Sequence, residues 1–123
     1  RRQRQMCIRD RVKDGLTDVY NQVHMGVCAD QCADEHHISR KDQDDFAVSS
    51  QSKAQDAIKN KKFLDEIIES TLLEDEHPRK DITLEGLSKL KPAFKKDGTV
   101  TPGNSSGIND GAAAVLLMER VEA

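Results

Sequence analysis

Three side chains of the metal-ligating kind, Cys28, Cys32 and His36, fall at i, i+4 and i+8, a spacing that places them on one face of a helix. Structural zinc asks for four ligands, and no fourth accompanies this trio in a metal-binding spacing, so no metal site is assigned. Gly103-Asn104-Ser105-Ser106-Gly107 has the small residues of a phosphate-cradling loop. It lacks the Gly-Lys-Ser/Thr ending whose lysine would meet the phosphates. Asp97-Gly98 opens like a calcium loop, yet the further acidic ligand positions are absent. Lys89, Lys91, Lys95 and Lys96 could face phosphates, although a solvated helix end is the commoner fate of such a group. His24, in His24-Met25-Gly26, would by itself be a surface or capping histidine. Its claim to a site depends on the motifs downstream of it in the chain.

Composition narrows the class. The 123 residues hold 19 Lys and Arg against 22 Asp and Glu, a net charge of -3, which is neither a nucleic-acid nor a membrane signature. Three Phe, one Tyr, no Trp and a mean hydropathy of -0.71 foreshadow a thin core. The longest apolar run, residues 112–118, is far short of the ~20 residues that cross a bilayer. Three cysteines make no disulfide framework, so a reducing, cytoplasmic compartment is expected.

The first eleven residues stand apart. Arg1, Arg2, Arg4, Arg9 and Arg11 crowd a start without helical or strand period. The alternatives are a disordered basic arm for RNA or membranes, or sequence foreign to the gene. All eleven residues back-translate in one frame into the transposon adapter used to prepare sequencing libraries, so residues 1–11 are read as adapter and set aside from the fold. Without them 14 basic residues face 21 acidic ones, a net charge of -7, and the polypeptide opens at about Val12 as an internal fragment.

Along the rest, residues 12–25 suit a loop with short helical turns, and 27–36 a short helix. Ser39 is placed to cap a long helix, with Asp42 at the third position completing a capping box. On that helix Phe46, Ser50, Ala54 and Ala57, flanked by Ala47 and Ile58, share one face and are expected to pack inward. Asp42, Asp45, Lys53, Asp56, Lys59 and Lys62 lie mainly outside it. Residues 63–68 could form a short strand. Thr83 caps a helix running to Leu90, with Leu84, Leu87 and Leu90 spaced by three, and Pro92 ends it. Residues 112–118, apolar at every position and bounded by turn residues, read as a strand covered on both faces.

Taken in chain order, His24-Met25-Gly26, Ile38-Ser39-Arg40-Lys41-Asp42-Gln43-Asp44-Asp45-Phe46-Ala47, Ser50-Gln51-Ser52-Lys53-Ala54 and Phe63-Leu64-Asp65-Glu66-Ile67 resemble the middle of a thiolase. Asp75-Glu76-His77-Pro78-Arg79, Leu87-Ser88-Lys89-Leu90-Lys91-Pro92-Ala93-Phe94 and the stretch Asp97-Gly98-Thr99-Val100-Thr101-Pro102-Gly103-Asn104 through Ser105-Ser106-Gly107-Ile108-Asn109-Asp110-Gly111-Ala112-Ala113 are similar to the family's most distinctive central region. The His-Met pair resembles acetyl-CoA acetyltransferases more than thiolases of longer 3-ketoacyl chains.

The resemblance implies an α/β thiolase fold of two similar lobes, represented here mainly by the inserted loop domain that covers the substrate, residues 12–103. Residues 104–123 would re-enter the first lobe with a coenzyme A-contacting loop and one central strand. It implies an acyltransferase that joins two acetyl-CoA into acetoacetyl-CoA and CoA, or runs the reverse, through an acyl-cysteine. A 3-ketoacyl-CoA thiolase of broader chain length and a non-catalytic thiolase-like or small helical binding module are the alternatives. No catalytic residue is expected in this chain: the nucleophilic cysteine would lie upstream, and a Gly-His-Pro histidine and second cysteine downstream. Cys28 and Cys32 do not stand in the nucleophile's setting.

By the same resemblance His24 and Met25 lie near the reacting acyl end, and the Ser106 hydroxyl meets a pantetheine amide. Leu90, Phe94 and Ile108 form channel walls, and Arg79 stands at the nucleotide end. No cofactor is required beyond the coenzyme A thioester substrates, acetyl-CoA and acetoacetyl-CoA. The full protein would be a homotetramer, with neither nucleic acid nor membrane as partner. The chain departs from the family at Gly86, where a hydroxyl residue is frequent, at Pro102, where Ala is usual, and in a shortened connection at 68–74.

Overall fold

The computed structural model describes residues 2–68, 75–109 and 111–119, with side chains from Arg9 onward. Among the described residues four α-helices succeed one another, α1 (Arg2–Gly15), α2 (Met25–Glu35), α3 (Arg40–Lys59) and α4 (Leu84–Ser88), with a single 3-10 turn at Leu64–Glu66. The arginine-rich start, in which the sequence carries no helical period, is helical. No described helix is long and apolar enough to cross a membrane.

Local chemistry accounts for the helix ends. His24 caps α2, its ring Nδ1 accepting the Gly26 N–H at 3.0 Å. Ser39 caps α3 through the expected reciprocal box: its hydroxyl accepts from the Asp42 N–H and the Asp42 carboxylate accepts from the Ser39 N–H, each at 3.2 Å. The Ser39 hydroxyl also donates to Asp42 Oδ2 at 2.6 Å, and this bond first, then the one from the Ser39 backbone N–H, holds the Asp42 carboxyl below its ordinary range. α2 and α3 both finish in a Schellman motif, with Ile38 N–H on Ala33 O at 2.9 Å and Lys62 N–H on Ala57 O at 3.0 Å. The residues at the left-handed position are His37 and Lys61, with φ of 54° and 53°. Thr83 caps α4 by accepting from Gly86 N–H at 3.1 Å, and the helix closes at Ser88, two residues short of the expected Leu90.

The core is small and half polar: Ala33, Leu87 and Val100 are its apolar members, and Asp30, Asp44 and Thr101 are buried beside them. α3 is rotated from the expectation. Phe46 is 76% and Ile58 48% exposed, and Ser50 is exposed as well. The packed face runs instead through Arg40, Asp44, Val48, Gln51 and Gln55, joined by Ala47, Ala54 and Ala57 from the expected stripe. Hydrogen bonds set this orientation. Asp44 accepts from Arg40 and from Asn104 Nδ2, Gln51 accepts the Arg79 N–H at 2.9 Å, and the Gln55 amide donates to the Arg79 carbonyl.

The α/β character is not expressed among the described residues, which form helices and loops with one isolated antiparallel bridge, Thr17 to His24. Residues 63–68 hold the 3-10 turn in place of the expected strand. Residues 112–118 form no strand, and Val115, Leu116 and Leu117 are more than four-fifths exposed. A strand requires a neighbour to take its backbone hydrogen bonds, and none of the described residues pairs with this run. The shortened connection expected at 68–74 lies, apart from Ile68, outside the described residues.

Candidate functional site

The residues singled out by sequence fall into three places. At the start of α2, His24 stacks on Phe94, with ring centroids 4.7 Å apart and planes 23° from parallel. Because Nδ1 accepts the Gly26 N–H, the neutral ring carries its proton on Nε2, which is therefore a donor. Gly26 is buried under the Phe94 ring, and a Cβ built on it would fall into that ring. Met25 is half exposed beside them.

The second place is a cavity of about 400 Å³ between the 79–83 segment and α4. Arg79, Lys80 and Thr83 bring polar groups to it, and Leu87 and Leu90 supply apolar wall. A few polar groups on an apolar lining is the usual make-up of a small-molecule site. Gly86 lines it too, and its absent side chain leaves space bounded only by Thr83 Oγ1, 3.2 Å from an ideal Cβ. The Arg79 guanidinium gives one N–H to the Pro102 carbonyl at 3.2 Å. This ties the 79–83 segment to the loop that leads to Ser106.

The third place is that loop. Ser106 and Ile108 are both exposed. Between them Gly107 lies against the His77 ring, so closely that a Cβ there would overlap it. Arg79 and Leu90 thus share one cavity, and His24 and Phe94 share one stack. Met25, Ser106 and Ile108 are not drawn into either.

Other signals resolve more plainly. Lys89 pairs with Glu85 at 2.6 Å and Lys95 with Asp34 at 3.2 Å, as a solvated helix end would have them. Cys28 and Cys32 are unbridged, and among the described residues no group of three or more His, Cys, Asp and Glu is arranged to hold a metal. Sequence reasoning missed Asp30, His77, Arg40 and Asp44. Asp30 and His77 are placed by partners distant in the chain, so spacing gives no hint of them; Arg40 and Asp44 stand at the i, i+4 spacing of an ion pair, but their bonds to Leu87 and Asn104 lie far off in the chain.

The model of the thiolase N-terminal domain matches residues 2–121, and the chain is a member of that family. A probable acetyl-CoA acyltransferase of Staphylococcus aureus (strain COL) is 48% identical over 129 aligned positions that take in 97% of this chain and 33% of that protein. The crystal structure of the Bacillus anthracis acetyl-CoA acetyltransferase superposes with a TM-score of 0.74 at 41% identity, over 82% of this chain and 28% of that one. The acetyl-CoA acetyltransferase of Syntrophomonas wolfei gives 0.75 at 37% identity, over 82% and 27%. The chain therefore spans about a third of the length of these relatives.

Proposed function

We propose that this chain is the substrate-covering part of an acetyl-CoA C-acetyltransferase. In the complete protein a cysteine thiolate outside the chain attacks the acetyl-CoA carbonyl, forming an acyl-cysteine and releasing CoA. A base removes the α-proton of a second acetyl-CoA, and the resulting carbanion attacks the acyl-cysteine, giving acetoacetyl-CoA and restoring the thiolate. The described residues take no covalent part. His24 Nε2 supplies a fixed donor near the reacting carbonyl, and Phe94 and Met25 border it. Ser106 offers its hydroxyl to a pantetheine amide, Leu90 and Ile108 give wall, and Arg79 places a cation toward the nucleotide phosphates.

The observation that carries this reading is the pairing of a directed histidine donor, stacked on an aromatic wall, with a separate cavity that has a cation at its edge. A long thioester with a reactive end and a phosphorylated end has both requirements. The name of the Staphylococcus relative, an acyltransferase, favours a second reading with wider acyl-chain tolerance. Expressed from its complete reading frame, the protein should cleave acetoacetyl-CoA in the presence of CoA, and Ser106→Ala should mainly weaken binding of the CoA ester. Comparable turnover on long 3-ketoacyl-CoA would select the second reading. Binding without turnover would leave a non-catalytic module.

A further inference from the structure

Asp30 lies in the middle of α2, is 1% exposed, and is hydrogen-bonded to none of the residues just assigned. Its Oδ1 accepts the backbone N–H groups of Thr99 at 2.7 Å and Val100 at 3.0 Å. The other oxygen, Oδ2, is buried with no hydrogen-bond partner. Leaving half a carboxylate unsatisfied costs free energy, which the two bonds to Oδ1 must offset. Gly98 makes the approach possible, since a Cβ there would stand 2.5 Å from Oδ2.

The two amides held by Asp30 belong to a turn from which both channel segments depart. The Val100 carbonyl accepts the Ala93 N–H at 2.9 Å, fixing the backbone next to Phe94. The Thr99 carbonyl accepts from Asn104 Nδ2 at 3.0 Å, and Asn104 Oδ1 accepts the Thr101 N–H at 2.7 Å, fixing the turn that leads to Ser106. Because Asp30 stands less than two helical turns after His24 on the same helix, one carboxylate ties the His24 end of α2 to its stacking partner and to the pantetheine loop.

We propose that Asp30 is a positioning residue: by gripping the Thr99 and Val100 amides it holds Phe94 over Gly26 and His24 and sets the approach to Ser106. Its bearing on coenzyme A rests on the function proposed above; its bearing on the stack does not. The test therefore has two arms. In the isotope-labelled 123-residue chain, the Gly26 amide proton and the His24 ring protons report the Phe94 ring current, with Phe94→Ala marking their positions when the stack is lost. Asp30→Ala should move them to those positions with helical circular dichroism retained, whereas Asp30→Asn, which keeps the accepting oxygen, should leave them at wild-type values. If Asp30→Ala does not fold, Gly98→Ala, whose methyl meets Oδ2 and so displaces the carboxylate and draws Oδ1 off the amides, should produce the same displacement. Wild-type resonances in Asp30→Ala or Gly98→Ala, or equal movement in Asp30→Asn, would overturn the proposal.

The second arm uses the complete protein. Asp30→Ala should weaken acetyl-CoA binding about tenfold and Asp30→Asn by about twofold or less, the scale seen when the support of a binding group is removed. A wild-type protein that binds no acetyl-CoA refutes the channel assignment and leaves the first arm to decide the role of Asp30.

Discussion

Arg40 Nε donates to Asp44 Oδ2 at 2.8 Å, and the same guanidinium reaches the carbonyls of Leu87 at 2.6 Å and Leu90 at 3.2 Å. One side chain thus neutralises a buried carboxylate and closes the open end of α4. Asp44 is only 5% exposed at its side chain, so it cannot fall back on water if Arg40 is removed. Arg40→Ala should destabilise the chain by roughly 3 kcal/mol, as expected for a buried pair broken on one side. Urea unfolding measures it, and adding Asp44→Ala should recover part of the loss, since no charge is then stranded.

Gly26→Ala should displace the Phe94 ring, because the added methyl occupies the ring's own position. Both residues cannot keep their places. The loss of the His24 stack would appear as a changed Gly26-region spectrum in the chain. In the complete protein it should weaken CoA ester binding by about tenfold or more, the effect of misplacing a positioned group.

His37 and Lys61 hold left-handed backbone that costs a side-chain-bearing residue roughly 1–2 kcal/mol. Each stands where helices most often end in glycine. His37→Gly and Lys61→Gly should each stabilise the chain by about 0.5–1 kcal/mol, the remainder being offset by the freer unfolded glycine. Thermal or urea midpoints that fall instead would show that these side chains have contacts of greater worth.

The Asp42 carboxyl titrates below its ordinary value of 3.8, chiefly through the Ser39 hydroxyl and then the Ser39 backbone. A folded value below the unfolded one means that the charged form favours the folded state. This contribution is complete above the unfolded value and disappears as pH falls through the folded one. Helix content should therefore decline at the α3 start in acid, and Ser39→Ala should return the Asp42 titration, followed by carboxyl carbon NMR, toward 3.8.

Residues 112–118 present an unbroken apolar surface, with Leu117 88% exposed. A patch of this kind promotes association. The chain on its own should bind a hydrophobic dye and lose solubility with concentration, and Leu116→Lys should reduce both. Dye binding and solubility unchanged in Leu116→Lys would contradict this.

What could be read from the sequence was whatever a residue settles with near neighbours. The starts of α2, α3 and α4 depend on a cap and the next three residues, and Ser39 and Thr83 sit where the pattern placed them, with His24 in the capping role open to a lone histidine. The family resemblance singled out His24, Phe94, Arg79 and Leu90 one by one but did not say which of them meet, since 70 positions separate the stacked pair His24 and Phe94. The orientation of α3 was not legible. Its apolar stripe pointed to Phe46, but the choice was made by Arg40, Asp44, Gln51 and Gln55 bonding to distant carbonyls and amides. The strand expected at 112–118 failed for a related reason: its pairing partner is not supplied by the described residues.

The polar packed face of α3 also decides how the helix can err. An apolar stripe tolerates small slides, since one methyl contact replaces another. A helix held by Arg40, Asp44, Gln51 and Gln55 behaves like a key with cut teeth. Moving its register by one residue turns it by about 100° and loses together the bonds these residues make outside the helix. Errors of docking should then be all-or-none, with few near-native misfits.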